Sequence, residues 1–152
     1  EAVANNDLDF GKKILIYPFP KMYYSINSED RPQELEDHFL HYREKMINKC
    51  GIAFFLFGNK RDKDGNPIIA DGVIKEFDIA HRQGKYVFPI GTTGGASKVL
   101  AERVLANYED YNNTSPDVKK LYLELNLPDI TADEIIEKVC EIVDRLAYKD
   151  NG

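Results

Sequence analysis

No apolar run in the sequence approaches the roughly 18 residues that a membrane-spanning helix requires. The first residues, Glu1-Ala-Val-Ala-Asn-Asn6, have neither the basic start nor the apolar stretch of a secretion signal. There is no basic block either: 20 Lys and Arg stand against 26 Asp and Glu, a net charge of −6. That is the wrong sign for a chain that tracks nucleic-acid phosphates. Neither membranes nor nucleic acids are expected partners. Cysteine is scarce, with only Cys50 and Cys140. Both fall in helical patterns among apolar neighbours, so they are expected to be small buried hydrophobes in a reducing, cytoplasmic compartment. His38, His41 and His81 are not grouped with them, so no metal site is expected. Catalytic signatures are missing too: there is no Gly-x-Ser-x-Gly, no His-Glu-x-x-His and no Walker loop. The chain alone is not expected to be an enzyme.

What is present suffices for an ordinary core. Hydrophobic residues make up 43% of the 152 positions and aromatics 11%, too many for a disordered chain. One domain over residues 1–152 is expected. The chain starts at Glu1 rather than Met, which predicts a piece of a longer protein.

The apolar pattern alternates between two periods. Lys13–Tyr17 reads as a strand closed by Pro18-Phe19-Pro20. Leu35, Phe39, Tyr42 and Met46 recur at helical spacing over about residues 32–50, ended by Gly51. Ile52-Ala-Phe-Phe-Leu-Phe57 is an unbroken apolar run, the signature of a strand covered on both faces. A polar turn over 61–67 precedes a helix from Asp71 to Gln83, with Val73, Phe77 and Ala80 facing inward. Tyr86–Ile90 is a further strand, and Ala96–Tyr108 and Asp117–Leu125 are helices. Thr131 and Glu134 form a capping box for a last helix reaching about Tyr148. On that helix Ile135, Val139, Ile142 and Leu146 make a stripe, which packs on the sheet or serves assembly.

Strand–helix alternation of this kind argues an α/β fold: a Rossmann-like parallel sheet flanked by helices, with extra C-terminal helices. Three strands make a small sheet. A first strand–helix unit is therefore expected to lie before residue 1.

In such sheets ligands bind beyond the C-terminal ends of the strands. Those ends carry Phe19, then Gly58, Asn59 and Lys60, then Gly91, Thr92, Thr93 and Gly94. Together they offer a flat ring, backbone of close approach, a cation and hydroxyls, a set that suits a nucleotide. The Gly91–Gly95 segment precedes a helix, so its amides could hold an anion, or it simply turns the chain. Lys60 is either a ligand contact or a solvated turn lysine beside Arg61 and Lys63. Arg43 shares a helix flank with Phe39 and Ile47, so it must snorkel, pair with an acid or meet a ligand. Glu76 flanks an inward face and could accept from a ribose diol.

Four motifs occur in order: Tyr42-Arg43-x-x-Met46-Ile47, Gly51-Ile-Ala-Phe-Phe-Leu-Phe-Gly-Asn-Lys60, Asp71-Gly-Val-x-x-Glu76-Phe-x-Ile-Ala80 and Pro89-Ile-Gly-x-Thr-Gly94. In combination they resemble a SLOG domain. More narrowly, they are similar to the SLOG-type (STALD) sensor domains at the C-terminus of the SIR2-family NADases of Thoeris anti-phage defence. The resemblance implies a regulatory domain that performs no chemistry and needs no cofactor. It implies binding of a cyclic ADP-ribose isomer made by a TIR protein, an attached SIR2 domain whose substrate is NAD, and a homo-oligomer. On this likeness Arg43 and Lys60 fall to the pyrophosphate and Glu76 to a ribose hydroxyl, and the Gly91–Gly95 loop adds backbone donors. Two other readings stay open. Pro89-Ile-Gly-Thr-Thr-Gly-Gly with Glu102 loosely echoes the nucleotide N-glycosidases that share the SLOG fold, and a plain oligomerisation module needs no ligand at all.

Overall fold

The computed structural model describes residues 32–149. The expected strand over 13–17, and Phe19 after it, lie outside the described residues. The chain divides into two compact units, Glu1–Leu40 and His41–Gly152. Helix α1 (Gln33–Ile47) runs across that division. In the first unit it carries Leu35 and Phe39, both buried, and Gln33 donates to Asp37 one turn on.

The second unit is a layered α/β arrangement. Strand β1 (Ile52–Phe55) pairs in parallel with β4 (Tyr86–Pro89), with Ile52 opposite Tyr86 and Phe55 opposite Pro89. Parallel neighbours need a crossover. Here it contains helix α2 (Asp71–Arg82), whose buried face is Phe77, Ile79 and Ala80. The chain enters α2 through a short antiparallel hairpin, β2 (Asn59–Arg61) with β3 (Pro67–Ile69). A polar turn was expected there. Asp62 builds the hairpin by accepting from the amides of Asp64 and Asn66, and Gly65 supplies a left-handed φ of 84°. Helices α3 (Gly95–Ala106), α4 (Tyr108–Tyr111), α5 (Pro116–Leu125) and α6 (Ala132–Lys149) complete the unit.

The core lies between the β1–β4 pair and the helices. Phe55 meets Phe77 edge-on at 5.5 Å, and Phe88 and Tyr108 both lean on Tyr122, at 5.5 and 5.6 Å. Each such ring contributes about 1.5–3 kcal/mol by leaving water. Ile142 and Leu146 of α6 are buried, with Ile135 and Val139 packed against the same cluster. The C-terminal stripe is therefore core. The capping box forms as expected: the Glu134 amide donates to Thr131 Oγ1 at 3.3 Å and the Thr131 amide to Glu134 Oε2 at 2.7 Å.

Three local expectations need correction. The apolar run does not stay in the sheet to residue 57: β1 ends at Phe55, and Leu56 and Phe57 are 46% and 62% exposed. Cys140 is exposed on α6 and Cys50 is half-buried beyond the end of α1, so neither is a fully buried hydrophobe. On α1 the buried positions after the division are Arg43 and Ile47, while Tyr42 and Met46 are half-buried. The inward stripe is rotated toward the arginine.

Candidate ligand-binding site

Because β1 and β4 are parallel, the segments leaving them share one edge of the sheet. Contacts between backbone and side chains bind the two segments together there. Thr93 Oγ1 accepts from the Phe57 amide at 2.8 Å and donates to the Ile90 carbonyl at 2.6 Å. The Phe57 carbonyl accepts from the Ser97 amide at 2.9 Å. The Gly58 carbonyl accepts from the amides of Ala96 and of Ala70, at 3.2 and 2.8 Å. Ala70 caps α2 and Ala96 lies in the first turn of α3, so one turn after β1 gathers the N-termini of two helices. Only glycine fits at the centre of this turn. Gly58 has φ 99°, and a Cβ on it would lie 2.7 Å from the Ala96 Cβ.

The charged side chains cluster at the start of α2. The Arg43 side chain is 10% exposed, and its Nε donates to Glu76 Oε1 at 3.3 Å. Space for the guanidinium comes from Gly72, where a Cβ would stand 3.0 Å from Arg43 Nη2. Burial pushes the Glu76 carboxyl above its usual range, and the charge and hydrogen bond of Arg43 only partly oppose that. Lys60, on β2, donates to Asp71 in the first turn of α2. Burial would raise the Asp71 carboxyl, but the hydrogen bond and charge of Lys60, helped by Lys75, outweigh it and hold the carboxyl low. Arg43, Lys60 and Glu76 are thus part of one arrangement around Gly72, each engaged by a side-chain partner. Arg82 pairs with Glu44 at 2.9 Å, and Lys75 pairs with Asp71 at 3.8 Å.

The Gly91–Gly95 segment is ordered rather than an open fan of donors. Gly91–Thr93 form a 3₁₀ turn and Gly94, at φ 80°, caps α3. The Gly91 amide donates to Asn126 Oδ1 at 2.7 Å, and the amides of Thr93, Gly94, Ala96 and Ser97 all meet protein carbonyls. Thr92 is exposed on this turn, and Asn59 is exposed at the start of β2. One polar atom in the region stands out: Ser97 Oγ is buried and has no hydrogen-bond partner among the described residues. Glu102, the acid of the glycosidase-like echo, is an exposed residue of α3.

Sequence reasoning missed Asp71, Gly72 and Asn126. The signal for the first two was the Asp-Gly pair opening a helix within reach of two cations. Asn126 carried none, since it approaches Gly91 only through the packing of α5. Among the described residues no group of acids, histidines or cysteines could hold a metal ion. No helix among them is long and apolar enough to cross a membrane.

Chemically the rim offers two cations held by carboxylates, close backbone approach at Gly58 and hydroxyls from Thr92 and Thr93. An incoming phosphate can exchange for a carboxylate on a guanidinium or ammonium, since both present paired or single anionic oxygens.

A sequence profile of STALD, the Sir2- and TIR-associating SLOG family, matches residues 1–146. Among curated proteins, the NAD(+) hydrolase ThsA of Cytobacillus dafuensis is 35% identical over 154 residues, covering 95% of this chain and 30% of that protein. The NAD(+) hydrolase ThsA of Bacillus cereus (strain MSX-D12) is 34% identical over 136 residues, covering 89% and 26%. That of Enterococcus faecium is 34% identical over 115 residues, covering 76% and 24%. The chain therefore spans at most 30% of the length of these relatives.

Proposed function

Because the chain belongs to the Sir2- and TIR-associating SLOG (STALD) family, we propose that it is the sensing domain of a longer NAD-hydrolysing defence protein. Its ligand is a nucleotide signal, a cyclic ADP-ribose isomer made by a TIR protein. Binding at the rim activates an attached SIR2 domain within a homo-oligomer, in Thoeris-type anti-phage defence. This chain supplies recognition and the SIR2 domain supplies the hydrolysis of NAD.

The observation that carries the reading is the buried Arg43 held on Glu76 against Gly72, beside Lys60 on Asp71. A nearly buried guanidinium that donates to Glu76 at 3.3 Å presents a planar fork of donors matched to an anion with more oxygens. Pyrophosphate would take over the Arg43 and Lys60 donors. Glu76, at the edge of that exchange, accepts from a ribose hydroxyl, as acidic residues do in dinucleotide folds. Gly58 and Asn59 let the backbone approach, and Thr92, Thr93 and the glycines Gly91 and Gly94 line the opposite side of the rim. Three relatives with 34–35% identity are named NAD(+) hydrolases, which supports an NADase context for the whole protein.

Calorimetric titration with cyclic ADP-ribose isomers and with ADP-ribose tests this. One isomer is expected to bind the wild type tightly and Arg43→Ala not measurably. Binding that survives Arg43→Ala would remove the pocket from this rim. Release of nicotinamide from NAD, or of ribose phosphate from AMP, by this chain alone would replace the sensor with an N-glycosidase.

A further inference from the structure

Phe57 is placed at a cost that the fold does not explain. It is the non-glycine residue with a left-handed backbone among the described residues, at φ 58°. Aromatic side chains disfavour that region because the Cβ crowds the following carbonyl. Its ring is also 62% exposed, and Leu56 before it is 46% exposed. It does not belong to the buried cluster, and no ring stacks on it among the described residues. A residue selected for stability alone would here be glycine or a polar residue such as asparagine.

The surroundings over-determine the conformation instead. The Phe57 amide is held by Thr93 Oγ1 at 2.8 Å and its carbonyl by the Ser97 amide at 2.9 Å. Gly58 follows, locked against Ala96. Gly95, at φ 61°, would bring a Cβ to 2.8 Å from the Phe57 carbonyl oxygen, so the loop after β4 is itself shaped to let Phe57 approach. The clamp lies where β1 leaves the sheet, three residues before Lys60, at the edge where a parallel α/β sheet receives ligands. Strain maintained by neighbours at such an edge points to a role in binding.

From this clamp we infer that Phe57 is the stacking platform for the planar base of the nucleotide bound at the rim. A rigid, solvent-facing ring fixed at its own backbone loses little freedom when a base covers it, and aromatic faces accept a purine regardless of its hydrogen-bond pattern. Arg43 and Lys60 would hold the charged half of the ligand and Phe57 the flat half. The role presupposes the nucleotide site proposed above.

The chain has no tryptophan and nine tyrosines, so Phe57→Trp supplies a single tryptophan that can be excited selectively at the red edge of the absorption band. Titration of Phe57→Trp with ADP-ribose or a cyclic ADP-ribose isomer is expected to quench its emission saturably. Ribose 5-phosphate, which has no base, is expected to leave it unchanged. In calorimetry Phe57→Leu, still apolar but without a π-face, is expected to weaken the nucleotide about tenfold or more, the scale of base–aromatic stacking. Phe57→Trp is expected to bind at least as tightly as wild type. Equal affinity for wild type and Phe57→Leu, or an emission indifferent to the base, overturns the stacking role while leaving the nucleotide site intact. A wild type that binds none of these nucleotides overturns both.

Discussion

Polar and strained groups behave differently on the two flanks of β4. On the flank of α4 and α5 they close gaps in the backbone. Asn112, 1% exposed, accepts from the Val87 amide and donates to the Val87 carbonyl, both at 2.8 Å, as a neighbouring strand would. The Tyr122 hydroxyl donates to the Pro89 carbonyl at 3.0 Å, and Asn126 Oδ1 accepts from Gly91. At the rim the unfavourable terms stand uncorrected. Glu76 is half-buried beside Arg43 at a cost to its charged form, Phe57 is exposed in a left-handed backbone, and Ser97 Oγ is buried without a partner among the described residues. One flank is built for stability. The other retains costs that a bound ligand can offset, the usual form of a stability–function trade-off.

The comparison predicts how each flank responds when altered. The largest effect belongs to Asn112. Asn112→Ala strands a buried amide and a buried carbonyl of Val87, at a cost of about 2–4 kcal/mol in denaturant unfolding. Nucleotide affinity of the folded fraction should be unaffected. A loss of affinity without a loss of stability would reverse the assignment of the two flanks. Tyr122→Phe removes one hydrogen bond from the same flank and keeps the ring packing. It is expected to destabilise by about 1 kcal/mol, read from the same melts.

The rim should respond in the opposite sense. Phe57→Gly relieves the left-handed backbone, so stability is expected to stay level or rise by up to about 1 kcal/mol, the steric penalty offset by the entropy of a new glycine. Nucleotide binding should weaken at the same time. Differential scanning fluorimetry and titration on one preparation check both halves. A variant that melts distinctly lower would mean that Phe57 packs rather than binds.

The periodic elements were the legible ones, for a physical reason. Elements whose burial is periodic declare themselves: α2 is observed over Asp71–Arg82 and expected to Gln83, and α6 begins at the Thr131–Glu134 box. The β1–β4 pair was legible from two short apolar runs. The β2–β3 hairpin was not, because Asn59-Lys60-Arg61 is polar and Ile68 and Ile69 are exposed, so no alternation marks a buried face. At the site, Arg43 and Glu76 were recognisable as charges on inward faces, but their mutual pairing joins residues 33 apart and depends on how α1 crosses α2. Phe57 was hidden by its own strand: in sequence it completes an apolar run, and only the left-handed turn brings it out of the sheet.

The smallest effect separates the two ion pairs of the rim from each other. Burial raises the Glu76 carboxyl above its usual 4.5, so the folded chain holds that proton more tightly than the unfolded chain does. Stability from this group is therefore fully present below about pH 4.5 and is lost as pH rises through the raised value. Asp71 acts in the other direction. Held below its usual 3.8 with Lys60, it contributes stability above that value and loses it as pH falls through the lowered one. Glu76→Gln should remove the first dependence and leave the second. In urea melts taken from pH 4 to 7, the wild type is expected to lose ground relative to Glu76→Gln as pH rises. If it gained ground instead, attraction by Arg43 would exceed the burial penalty, and the Arg43–Glu76 pair would belong with the stabilising contacts of the opposite flank rather than with the groups held ready for a ligand.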